Sequence, residues 1–218
     1  MKLTNDKMLE LTANMPMKQI NITQLSPNPA MNTPHISELW HKPYLQRYYA
    51  GTFRDGSDLW LHRFLSNDGD RNLHSHPFDF ETIMLCGGYT EEFIGNDGKK
   101  KFRETYPDPK SDVPYLMEEF LFQLKNNPPN QKPSSFGFIH SANFSRLLDV
   151  YDWHRIASVQ NETWTAVIVS QKRLPKWFFK NDDGDIVDMV ASPRKWWVDY
   201  GIRPTSGIAI DDNRMVKQ

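Results

Sequence analysis

Gly69-Asp70-Arg71-Asn72-Leu73-His74-Ser75-His76-Pro77-Phe78-Asp79-Phe80-Glu81-Thr82-Ile83-Met84-Leu85-Cys86-Gly87-Gly88 places two histidines one residue apart, just ahead of an apolar segment with an acid at its head. On a strand, residues two apart share a face, so His74 and His76 can aim both imidazoles at one point. Glu81 shares a face with Ile83 and Leu85, and a carboxylate there is costly to bury unless it is paired or bound to a cation. Asp79, flanked by aromatic residues, is the rival acid; its alternative role is a hydrogen bond at a turn or strand start. A further ligand should come from a later strand, where His154 stands between the apolar runs 147–150 and 156–159.

Outward from this stretch, strand signals dominate. Residues 59–65 form an extended, aromatic-rich run that stops at a polar turn, residues 80–85 a second, and residues 89–94 and 100–105 flank Asn96-Asp97-Gly98 as a hairpin. Strand signals return at 136–139, 146–151, 155–159 and 163–170, with a turn expected at 182–184. Residues 4–15 predict a short helix capped by Thr4 or Asn5, residues 23–34 a loop, and residues 35–49 the start of another short helix. Residues 106–133, rich in proline around a helical segment at 115–125, read as an insertion.

His74, His76, Glu81 and Gly88 have the spacing of the first motif of the cupin superfamily, His-x-His, four residues, Glu, six residues, Gly, and in this the chain resembles that superfamily. Gly69 lies one residue closer to the first histidine than in the usual pattern. The second motif is represented by His154 alone, without the Pro-x-Gly turn, and with Ser158 where the motif has Asn. Leu61-His62-Arg63-Phe64, Gly87-Gly88-Tyr89 and Trp153-His154-Arg155-Ile156 look like an uncharacterised cupin-like group, over about residues 59–179.

The resemblance implies an all-β fold, a cupin-type double-stranded β-helix or jelly-roll barrel, here with short N-terminal helices and a proline-rich insertion. The expected division is residues 1–50 as an N-terminal arm with short helices, 51–180 as the barrel with its insertion at 106–133, and 181–218 as an extension packing on the barrel, its tail partly disordered. It further implies one divalent metal ion, iron first and Mn, Ni or Zn as alternatives, held by His74, His76, Glu81 and His154, and a possible homodimer. The activity expected is that of a metal-dependent enzyme on a small molecule, an Fe(II)-type dioxygenase ahead of an isomerase, epimerase or lyase, and of a non-catalytic binding cupin. A cysteine in the position of Glu81 would mark thiol dioxygenases, and this chain has none there.

Arg63, Arg146 and Arg155 are expected as guanidinium groups for a substrate carboxylate or phosphate, against the plainer role of solvated surface. Tyr89 is expected as a hydroxyl near the metal or as packing, and His62 as a satisfied core residue. His140 is a reserve ligand; His35 and His41 are surface or packing residues. The aromatic residues Trp177, Phe178, Phe179, Trp196 and Trp197 line a substrate mouth or make core contacts.

A net charge of −1 with no sustained cationic tract disfavours nucleic acid as a partner. The single cysteine, Cys86, excludes an internal disulfide framework and reads as a buried small hydrophobe in a reducing cytoplasm. No apolar run suits a signal peptide or membrane span, so a membrane partner is not expected.

Overall fold

The computed structural model describes residues 3–25, 39–67, 73–142, 146–148, 152–173, 176–180 and 186–190. In chain order these form α1 (Asn5–Thr12), β1 (Met17–Leu25), β2 (Leu39–Thr52), β3 (Asp58–Phe64), β4 (Leu73–Ser75), β5 (Phe78–Cys86), β6 (Tyr89–Ile94), β7 (Lys100–Thr105), α2 (Val113–Asn126), α3 (Ser135–Ala142), β8 (Arg146–Leu148), β9 (His154–Val159), β10 (Thr163–Arg173), β11 (Lys176–Lys180) and β12 (Ile186–Val190).

Among the described residues the strands make two antiparallel sheets of six, ordered β1-β2-β3-β10-β5-β8 and β12-β11-β4-β9-β6-β7. The pairing is nested: β3 with β10, β4 with β9, β5 with β8 and β6 with β7. Successive pairs alternate between the sheets, which is the winding of a double-stranded β-helix. The fold is therefore an all-β double-stranded β-helix, the expected jelly roll, widened on one sheet by β1 and β2 and on the other by β11 and β12.

Register assigns the side chains of β3, β10 and β5 to one of two faces. Across β2, β3, β10 and β5, Arg47 lies opposite His62, His62 opposite Thr165, and Thr165 opposite Met84. These positions, with Trp60, Phe64, Phe78, Phe80 and Val167 of the same parity, face the second sheet. The intervening residues Tyr48, Leu59, Leu61, Ile83, Leu85, Trp164 and Ala166 form a separate core under the helices. That double covering explains why β3 is buried at nearly every position instead of alternating.

The helices follow from capping and spacing. Thr4 caps α1, its Oγ1 accepting from Lys7 N–H at 3.3 Å. In α2, Val113, Met117, Leu121 and Leu124 recur at helical spacing and are all buried, each contributing about 1.5–3 kcal/mol of burial. Pro114 sits in its first turn, and Asn127 precedes Pro128 and Pro129 at its end, as the insertion predicted. Gly87, at φ +73°, turns β5 into β6; a Cβ there would lie 2.6 Å from the Thr163 backbone, so only glycine fits.

Three expectations change. Residues 39–52 form a strand, so the helix expected to begin in 35–49 is not there; residues 35–38 lie outside the described residues. Residues 136–139 are helical, part of α3. There Ser134 Oγ accepts from Gly137 N–H at 3.2 Å, and Asp55 Oδ2 accepts from Ser135 N–H at 2.9 Å. These caps, with Phe138 fully buried against Phe53 and Phe120, override the strand preference of the aromatic run. Residues 23–25 continue β1 instead of opening a loop. The turn expected at 182–184 lies outside the described residues. Among the described residues no helix is long and apolar enough to cross a membrane.

Candidate metal centre

His74 lies directly opposite His154 on β4 and β9, and His76 follows the end of β4. Their ring centroids form a near-equilateral triangle, with separations of 5.1, 5.0 and 5.0 Å. One nitrogen from each ring can be chosen so that all lie within 4.8 Å of one another. His76 Nε2 and His154 Nε2 are 2.8 Å apart. Metal–nitrogen bonds of roughly 2.0–2.1 Å at right angles would place two such nitrogens about 3 Å apart, so this pair already has chelating separation.

Among the described residues, Glu91, on β6, is an acid in contact with this cluster. It is 1% exposed, and its Oε1 accepts from the Nδ1–H of His154 at 2.5 Å. A carboxylate behind a histidine fixes the tautomer, turns the Nε2 lone pair forward and strengthens it as a donor. A buried carboxylate also favours a cation on the far side of that ring. The donor set fits one divalent ion held by His74, His76 and His154, with Glu91 in support.

Glu81 and Asp79 do not join this cluster. Phe78 and Phe80 face the histidines, at 5.6 and 4.5 Å between ring centroids from His76, and the strand alternates. Glu81 is therefore on the outer face, opposite Ile168 and Leu147. Its companions Ile83 and Leu85 are indeed buried, but beneath the helices.

Arg63 too is on the outer face, with Nη1 donating to Gln46 Oε1 at 3.3 Å and its guanidinium 5.8 Å from a Trp164 ring. It is not brought to the histidines. Arg155 is held by Glu92 through Nε at 2.6 Å and Nη2 at 2.5 Å. Arg146 pairs with Thr82, at an inward register position, and its side chain lies outside the described residues. Tyr89 is buried on the inner face two residues before Glu91 and packs on Phe64 at 5.9 Å. His140 is exposed beneath Phe136. His35, Trp196, Trp197 and the side chains of His41 and Trp177 fall outside the described residues. Cys86 is buried in the outer core.

Aromatic rings surround the site: Phe80, Phe78 and, across the sheet, Phe179 at 5.8 Å from His74. Trp60 stands edge-on to Phe78. His62 Nε2 accepts from Arg47 Nε–H at 3.1 Å, and Arg47 Cζ lies 4.6 Å from a Trp60 ring. Sequence reasoning missed both Arg47 and Glu91. The available signal for Glu91 was an acid between Tyr89 and Phe93 on one strand face.

Burial, followed by the charge of Arg47, holds His62 well below the usual histidine range; burial, then His154, His74, Arg47 and His62, does the same for His76. Their imidazoles are neutral in the native state. As pH falls through about 6.5 the unfolded chain takes up these protons first, so native stability, full above that pH, declines below it. Urea titrations of chelator-treated protein should show a midpoint falling from pH 7.5 to 5.5; a flat or rising midpoint contradicts this assignment.

No family model matches the chain, and no curated protein matches its sequence. Among solved structures, it is similar to the capsular polysaccharide assembling protein CapF from Staphylococcus aureus, at 8% identity and a TM-score of 0.32, over 78% of this chain and 32% of that one. It is also similar to a sugar phosphate isomerase of the cupin superfamily from Silicibacter pomeroyi, at 11% identity and a TM-score of 0.32, over 81% and 88%. The chain thus spans about a third of CapF. The nested strand pairing, independent of these distant likenesses, is what makes the fold a double-stranded β-helix.

Proposed function

We propose that the chain is a metal-dependent enzyme acting on a small molecule, an Fe(II)-type dioxygenase. The observation that supports this most is the convergence of three imidazole donors inside an aromatic-walled barrel, with no carboxylate in the donor cluster among the described residues. Such a set suits iron, nickel or zinc, and an ion bound there would keep its double charge and open positions for substrate and O₂. The chain's own contribution is positional. Glu91 orients His154, while Phe78, Phe80 and Phe179 crowd the histidines and restrict water.

The test is to load the chelated protein separately with Fe(II), Mn(II), Ni(II) and Zn(II) and to follow O₂ uptake against a panel of small acids and catechols. O₂ consumption confined to the iron form is expected. Conversion without O₂ in the Mn or Zn form would replace this reading with an isomerase or lyase. Tight binding without turnover in any form would make the barrel a binding module.

A further inference from the structure

Lys18, Arg47 and His62 stand side by side across β1, β2 and β3. All three are on the inner face: Ile20, two residues from Lys18, packs with Leu45 and Phe64 of that face, whereas Met17 packs with the outer core. Lys18 is 3% exposed. Arg47 is held at the Nε edge of its planar group by the bond to His62, and its Cζ lies over the Trp60 ring at 4.6 Å. A guanidinium fixed in this way has little rotamer freedom left to lose and suits forked binding of an oxyanion.

The path from this row to the metal centre is short and apolar: Arg47 on Trp60, Trp60 on Phe78 at 5.9 Å, Phe78 on His76. Lys18 lies directly opposite Arg47 on this buried face, so two cations stand next to each other in the row, while Asp58, farther along β3, accepts from Thr52 Oγ1 at 2.7 Å. Two neighbouring cations on a buried face suit an oxyanion.

We infer that Arg47, supported by Lys18, is the anion-binding end of the active site, and that the substrate is a small organic acid whose carboxylate meets Arg47 while its reacting end reaches the histidines. This rests on the metal-centred reading above and specifies its substrate class. A phosphoryl group would use the same cations, so the test separates the two sources.

Calorimetric titrations of the metal-loaded full chain would use benzoate, its neutral counterpart benzamide, and inorganic phosphate. Benzoate should bind at least about tenfold more tightly than benzamide, and Arg47→Gln should remove that advantage without altering metal content or benzamide binding. Phosphate binding more tightly than benzoate, with the same dependence on Arg47, would support the anion site and assign it to a phosphoryl group. Equal binding of benzoate and benzamide, or benzoate affinity unchanged in Arg47→Gln, overturns the proposal. If Arg47→Gln does not fold, Arg47→Lys and Lys18→Met carry the same comparison. If wild-type protein holds no metal, the metal-centred reading fails by itself; Arg47-dependent benzoate binding to that metal-free protein would still uphold the anion site, and its absence would end both.

Discussion

Replacing His154 with alanine lowers affinity for divalent metal by at least about a hundredfold, measured by competition with a chromophoric chelator. The effect is large because one substitution removes two things: the Nε2 donor 2.8 Å from His76, and the ring through which Glu91 acts. Glu91→Gln is the graded version. It keeps an acceptor for His154 Nδ1–H but deletes the charge, and a loss of about 10–100-fold is expected. Glu81→Gln, on the outer face, should change affinity less than about twofold, because its side chain is screened from the site by the sheet itself. A large effect at Glu81 with none at Glu91 would reverse the assignment of the acid.

The second large effect is on stability. Trp164→Ala should destabilise the protein by about 3–5 kcal/mol in urea unfolding. Trp164 is fully buried and stacks on Tyr48 at 5.4 Å, and its Nε1–H donates to Asn5 Oδ1 at 3.0 Å. It therefore ties α1 to the widened sheet as well as filling the outer core. Alanine leaves a cavity between rigid elements and strands the Asn5 acceptor. A loss below about 1 kcal/mol would mean that α1 contributes little to the sheet's outer cover.

How far the site could be read in advance follows from which geometric rule each residue obeys. His74 and His76 are two apart at the end of one short strand, and alternation alone brings them together. His154 was placed by its position between apolar runs, and the register of β9 against β4 sets it opposite His74. Glu81 failed for a specific reason. Its neighbours Ile83 and Leu85 mark a buried face, but β5 is buried on both faces, and sequence periodicity reports burial without distinguishing the barrel interior from the layer beneath the helices. The discriminating residues were Phe78 and Phe80, whose parity is that of the histidines' side.

Arg47 escaped notice for a related reason. The chain before residue 51 was expected as an arm with helices, whereas β2 is a 14-residue strand that carries Arg47 to His62 through long-range pairing. Local patterns gave most of the barrel strands, the hairpin at residues 96–98 and the helix within the insertion. Tertiary capping by Asp55 and packing on Phe53 turned residues 135–142 into a helix, and no local pattern carries that information.

His74, His76 and His154 are assigned to one divalent metal. The most direct test is elemental analysis of wild-type protein purified without chelator and then reconstituted with Fe(II), read alongside thermal unfolding before and after chelation. About one equivalent of metal per chain and a lower melting temperature once it is removed are expected. Protein that takes up no metal and melts at the same temperature with or without chelator would contradict that assignment.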